Sequence, residues 1–291
     1  MNSNPQPAKR TRVALFAGAP AERNRAASPF LKWAGGKSEL LQHLFTKVPR
    51  SFNTYWEPFL GGGALFFHLA PTSAVLSDLN EDLVNCYQVV KSDVEPLIEE
   101  LKKHRNDKAH FLKVRKMQPW ELDPVERAAR LIFLNKTCYN GLYRVNLRAE
   151  FNVPFGQYDN PRFCDPTALR AASRTLQNAE IAAKDFRFLL YRAQPGDFIY
   201  FDPPYNPLST TASFTSYSEA PFGDREQKAL REVFRALDER GCRLMLSNSD
   251  TSYIRKLYTN FNIEQVLASR AINCRGDKRG KISELIIRNY D

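Results

Sequence analysis

A chain of 291 residues that is 43% hydrophobic can form one large domain or two modest ones around a sizeable core. Its net charge of +10 favours a polyanionic partner, and nucleic acid is the commonest. No run approaches the roughly eighteen apolar residues of a membrane helix and no secretory leader pattern opens the chain; five scattered cysteines without a Cys-x-x-Cys pair and four histidines without a shared motif predict neither disulfides nor bound metal, so a cytoplasmic, metal-free protein is expected.

Residues 1–27 set Lys9, Arg10, Arg12, Arg23 and Arg25 against the single acid Glu22 and show no sustained apolar period, which predicts a basic, flexible, solvated tail. Order is predicted to begin at Phe30-Leu31-Lys32-Trp33-Ala34-Gly35-Gly36-Lys37. The glycines let backbone approach a ligand, the pattern Leu40, Leu41, Leu44, Phe45 puts Lys37 near a helix N-terminus, and Trp33 offers a flat wall. Tyr55 to Gly63 reads as strand then glycine turn, leading into a helix Ala64 to Leu69; a second strand, Ala74 to Ser77, delivers Asp78 at its end. This unit cradles nucleotide-like ligands, with the strand-end acid placed to grip a ribose. Gly61-Gly62-Gly63 departs from G-x-G-x-x-G, and Asp78 follows it too closely for the spacing of about 20 residues in dinucleotide enzymes, which favours adenosylmethionine over NAD.

From Glu81 to about Phe163 the texture is helical and charged, with segments Leu83 to Val90, Val94 to His104 and Val125 to Lys136. The stretch from Asn135 to Tyr158 alternates basic, amide and aromatic side chains around glycines. It reads as a hairpin or ordered loop able to insert between bases, or equally as an aromatic loop packed on the core. A helix Pro166 to Leu176 and a strand Ala179 to Ala182 follow, and Asp185-Phe186 is expected to end a further strand.

The apolar run Phe198 to Phe201 predicts a short buried strand that ends at Asp202-Pro203-Pro204-Tyr205. Two prolines stop the strand and fix a rigid turn, so a carboxylate, a carbonyl and an aromatic face fall within four residues. That set suits methylation of an exocyclic amine on a nucleobase. Asp202 and the Pro203 carbonyl accept hydrogen bonds from the amino group and localise its lone pair, while Tyr205 stacks on a base removed from the helix. By itself the turn leaves adenine N6 and cytosine N4 both open, as it does a catalytically silent DNA-binding protein. Downstream, a mobile loop is predicted over Leu208 to Tyr217, a helix over Gly223 to Glu239, a strand over Cys242 to Leu246, and β-like runs over Ile263 to Leu267 and Ser283 to Arg288 around a basic loop, Arg270 to Lys281.

The motifs FLKWAGGK (30–37), EPFLGGGALF (57–66), SDLN (77–80), YNGLYRVN (139–146), FNVPFGQY (151–158), DPPYNPLSTTASFTSY (202–217) and SNSDT (247–251) stand in the order of the Dam-type DNA adenine-N6 methyltransferases, which the chain resembles from about residue 29 to 291. The resemblance implies a doubly wound, Rossmann-like α/β methyltransferase sheet. Residues 28–84 and 166–291 would bind S-adenosylmethionine, with a helical and hairpin target-recognition domain inserted over 85–165. It implies cofactor contacts from Trp33, Lys37, Phe59, Gly61, Asp78, Asp185, Phe186 and Asp202, and catalysis by Asp202, Pro203 and Tyr205. It implies DNA contacts from Lys32, Tyr139, Asn140, Leu142, Arg144, Pro154 and Tyr158, with Arg144 and Leu142 the central readers of GATC in double-stranded DNA. A monomer and direct transfer without a covalent enzyme intermediate are expected. Gln157 replaces the basic residue frequent in the family, and Tyr143 and Val145 depart from the side chains expected beside the readers.

Overall fold

The computed structural model describes residues 27–33, 35, 37, 40–146, 148–207, 222–269 and 281–291. The predicted tail, the loop over Leu208 to Tyr217 and the basic loop from Arg270 lie outside the described residues, apart from Ala27 and the backbone of Lys281.

In chain order the elements are α1 (Leu41–Lys47), β1 (Tyr55–Glu57), α2 (Ala64–Leu69), β2 (Ala74–Asp78), α3 (Glu81–Ser92), α4 (Val94–Lys102), α5 (Lys108–Lys116), α6 (Pro124–Thr137), α7 (Pro166–Leu176), β3 (Ala179–Ala183), α8 (Leu189–Arg192), β4 (Phe198–Phe201), α9 (Asp224–Glu239), β5 (Arg243–Ser249), α10 (Ser252–Leu257), β6 (Asn262–Ser269) and β7 (Lys281–Arg288). Side-chain caps start the helices that the sequence marks well: Asn80 Oδ1 accepts from Leu83 N at 3.0 Å on α3, and Asp165 Oδ1 from Ala168 N at 3.0 Å on α7, where Pro166 occupies the first turn.

The strands form one sheet in the order β3-β2-β1-β4-β5-β7-β6. β1 to β5 pair in parallel and β7 runs antiparallel to both β5 and β6. Both faces are covered, as the unbroken apolar runs require. Tyr55, Leu76, Phe198, Tyr200 and Met245 pack with α2, α3 and α7, while Trp56, Val75, Ile199, Phe201 and Leu244 pack with α8, α9 and α10. A separate core of Phe111, Val114, Phe133, Leu134, Cys138, Phe151 and Val153 lies beneath the 139–158 segment. The doubly wound α/β expectation is met.

Several local expectations need correction. Asp185-Phe186 does not end another strand. Asp185 Oδ1 accepts from Arg187 N at 2.9 Å and starts a 3-10 turn, Phe186–Phe188. The strand expected from Cys242 begins at Arg243 and continues to Ser249, because Ser247 and Asn248, although polar, are fully buried in the sheet. α5, α8 and α10 escape the periodicity reading: α5 buries only Phe111 and Val114 among many charges, and the other two are too short to show a period. After α6, residues 138–146 and 148–158 run as two arms that meet at antiparallel bridges Cys138 to Phe155 and Val145 to Phe151.

Candidate active site

The parallel strands carry Glu57, Asp78, Asp202 and the Ser247 to Ser249 segment to the same edge of the sheet. β1 and β4 are neighbours, and the chain winds away from them in opposite directions. Ligands of open α/β sheets bind in the crevice at such a reversal.

On one side of the crevice is the glycine turn. Gly61 has φ +47°, and a Cβ there would fall 2.9 Å from Trp33 Cδ1, so the indole rests against bare backbone. Asp78 Oδ2 accepts from Gly61 N at 3.1 Å and Oδ1 from Asn80 N at 3.0 Å, while burial raises its carboxyl above the ordinary range. Tyr87 donates to Gly61 O at 3.1 Å. Phe59, just after β1, stacks on buried Phe186 with ring centres 5.5 Å apart, and Phe222 meets Phe59 edge-on. Asp185 is engaged by Arg187 Nη1 at 2.9 Å.

On the other side is the strand-end turn. Lys37 Nζ pairs with Asp202 Oδ1 at 2.8 Å, donates to Gly35 O at 2.6 Å, and stands 4.6 Å from the centre of the Tyr205 ring. Lys37 is close to α1 in sequence, but that helix begins only at Leu41. Burial raises the Asp202 carboxyl above its ordinary range; the Lys37 charge opposes this and Glu284 adds to it. Polar neighbours hold the turn. Gln227 Nε2 donates to Pro204 O at 3.0 Å, Asn248 Oδ1 accepts from Asn206 N at 3.0 Å, and Ser249 Oγ donates to Asn206 O at 2.6 Å. Tyr205 donates to Glu284 Oε2 at 2.8 Å.

Glu57, quoted in a motif but given no role from sequence, is fully buried at the end of β1, where Tyr55 donates to its Oε2 at 2.7 Å. Burial is the main cause that pushes its carboxyl up to about 8; the Tyr55 hydrogen bond opposes the shift and the Asp202 charge reinforces it. Glu284, Gln227 and Asn248 were likewise without an assigned role. Asn248 lies in a quoted motif, whereas Gln227 and Glu284 carry no local signal.

The predicted DNA-contacting residues form a second cluster. Asn140 N donates to Tyr158 Oη at 3.0 Å, Tyr139 N to Pro154 O at 2.9 Å, and the Lys32 ammonium lies 4.8 Å from the centre of the Tyr158 ring. Asn135, buried at the end of α6, accepts from Lys32 N at 2.8 Å and donates to Lys32 O at 2.7 Å and Gly141 O at 3.0 Å. Lys32, Tyr139, Asn140, Arg144 and Pro154 are exposed, while Leu142 is half-buried against the separate core. Arg144 Nε donates to Asn152 Oδ1 at 2.6 Å, which holds the guanidinium across the loop. Phe151 and Phe155 pack inward, as the core-packing reading of this stretch expects, while a basic, amide and aromatic face points outward.

No helix among the described residues is long and apolar enough to cross a membrane, and no group of three or more His, Cys, Asp or Glu among them could hold a metal ion.

Residues 33–272 match the family model of the D12 class N6 adenine-specific DNA methyltransferases. The chain is 46% identical to the Type II methyltransferase M.MjaIII of Methanocaldococcus jannaschii, over 90% of this chain and 99% of that one. It is 44% identical to the Type II methyltransferase M1.LlaDCHI of Lactococcus lactis, over 90% and 95%. It is 35% identical to a DNA adenine methylase of Escherichia coli, over 91% and 95%. With a family model matching most of its length and relatives above 40% identity, the chain belongs to the D12 class of N6 adenine-specific DNA methyltransferases.

Proposed function

We propose that this enzyme methylates adenine N6 within GATC in duplex DNA, with S-adenosylmethionine as donor and the target adenine turned out of the helix. The observation that carries the reading is the Lys37 to Asp202 ion pair, set at the end of β4 directly across the sheet's reversal point from the glycine turn. The residues on the glycine side suit the donor. Gly61 lets the Trp33 indole rest against the turn as a flat wall, Asp78 offers a buried carboxylate for a ribose, and the stacked Phe59 and Phe186 rings offer an apolar wall for a purine. S-adenosylmethionine, when bound, supplies an electrophilic methyl group.

The chain's own residues do the rest. Asp202 and the Pro203 carbonyl accept the two amino hydrogens of adenine, which localises the N6 lone pair and fixes the amino group's direction. Lys37 orients the Asp202 carboxylate and limits the rise in its proton affinity that burial causes. Tyr205, anchored by Glu284, presents its ring to the base. Arg144 and Leu142 read base edges, and Lys32, Tyr139, Asn140, Pro154 and Tyr158 complete the contact face. The segment 85–165 acts as the recognition unit.

The test is methyl transfer from labelled S-adenosylmethionine to two duplexes that differ only by scrambling GATC, followed by mass analysis of the nucleosides. N6-methyladenine in the GATC duplex alone is the expected result. Label in both duplexes would discard the specificity, and N4-methylcytosine would discard the target base.

A further inference from the structure

One side chain joins the donor cradle to the reading loop. Tyr143 lies between Leu142 and Arg144, and its ring stacks on Trp33 with centres 5.3 Å apart and planes inclined by 25°. The same indole rests on Gly61, in the turn that faces the donor. Tyr143 also meets Phe151 edge-on, and it packs against both the main core and the separate core beneath the loop. Its hydroxyl donates to Asp82 Oδ2 at 3.2 Å, and Asp82 Oδ1 is held by Arg127 Nε at 2.6 Å. Asp82 belongs to the first turn of α3, which follows directly on Asp78 to Asn80.

We propose that Tyr143 is a positioning residue that couples occupancy of the donor cradle to the placement of Leu142 and Arg144, through its stack on Trp33. The inference rests on the donor and target assigned under the proposed function. Packed aromatic side chains transmit displacement rather than absorb it. A donor that fixes Trp33 against Gly61 therefore fixes the Tyr143 ring, and the adjacent backbone carries the two readers. Coupling of this kind is reciprocal: a cognate duplex that orders the loop tightens donor binding by the same factor by which the donor tightens duplex binding. Asp82 sets the height of the ring through the hydroxyl, while the ring face carries the coupling itself, so loss of the ring should matter more than loss of the hydroxyl.

Calorimetry with S-adenosylhomocysteine, which cannot transfer methyl, reads the coupling directly as the ratio of its Kd without and with a GATC duplex. In the unmodified protein the ratio is expected at about 5 to 50. In Tyr143→Phe it should be largely kept, and in Tyr143→Leu it should fall to within about twofold of unity while Kd without DNA changes little. A ratio in Tyr143→Leu equal to that of the unmodified protein, or a ratio of unity in the unmodified protein, overturns the proposal. A variant-free readout guards against loss of folding: S-adenosylhomocysteine alone should slow amide exchange over 142–146 in the unmodified protein, and unchanged exchange there also overturns it. If the unmodified protein binds no S-adenosylhomocysteine and methylates no GATC duplex, the proposed function itself fails and this inference with it. Binding and GATC methylation with a coupling indifferent to Tyr143 would remove this inference alone.

Discussion

Tyr205 and Glu284 lie 79 positions apart and are joined by a 2.8 Å hydrogen bond from the tyrosine hydroxyl to Oε2. The bond fixes the aromatic ring of the strand-end turn from the antiparallel strand β7, so the Tyr205 ring is positioned from outside its own turn. Glu284→Leu should leave the hydroxyl buried without an acceptor, at a cost of about 1–3 kcal/mol, and slow methyl transfer by roughly ten- to hundredfold. Glu284→Gln keeps an acceptor oxygen and should retain most activity. Single-turnover kinetics on a GATC duplex compares the two; equal losses would mean that the hydrogen bond does not position Tyr205.

Lys37 and Asp202 are mostly buried partners, with side chains 8% and 20% exposed. Asp202→Asn and Lys37→Met should each slow transfer by on the order of a hundred- to thousandfold, and the double variant should lose little more than either single one. Rates that multiply across the double variant would show two independent roles. Asp202→Ala should abolish turnover while circular dichroism still reports a folded protein.

Glu57 supplies a pH prediction. Its folded value of about 8 lies above the ordinary 4.5, so the folded state binds its proton more tightly than the unfolded chain does. Stability from this group is complete below about pH 4.5 and is lost as pH rises towards 8. Glu57→Gln mimics the neutral form and leaves an oxygen to accept from Tyr55. Urea midpoints of the two proteins should converge near pH 4.5 and separate in favour of the variant by pH 8; parallel curves across that interval would show that Glu57 ionises normally.

Arg144 is held across its loop by Asn152 before any DNA arrives. Arg144→Ala should cost about 1–3 kcal/mol in discrimination against a duplex with one changed base pair. Asn152→Ala should weaken the same discrimination less, because the guanidinium survives but its direction is no longer set. Competition binding between GATC and single-substitution duplexes measures both, and a uniform loss on every duplex would reassign Arg144 to a phosphate.

The two glutamates show where sequence reading stops. Glu57 stands beside a recognisable glycine turn, yet its raised proton affinity comes mainly from its burial in the folded chain, which no local pattern reports. Glu284 sits in a β-like run whose existence was legible, but its partner lies far away along the chain. α5 was illegible for a different reason, since a helix that buries only two side chains among many charges has almost no apolar period.

What the sequence by itself determined is the set of strongly punctuated elements and the residues whose chemistry is written locally. β2, β4, α2 and α7 are bounded by acids, prolines and glycines that dictate where a strand or helix stops, and they deliver Asp78 and Asp202 to strand ends. Only the tertiary structure decided which of these ends meet: that Lys37 faces Asp202, that Glu284 holds Tyr205, that Asn135 ties Lys32 to Gly141, and that Tyr143 lies on Trp33. The physical reason is that apolar periodicity specifies the face a side chain takes, whereas a hydrogen bond or ring stack between distant segments depends on strand order and register, which pattern alone leaves free.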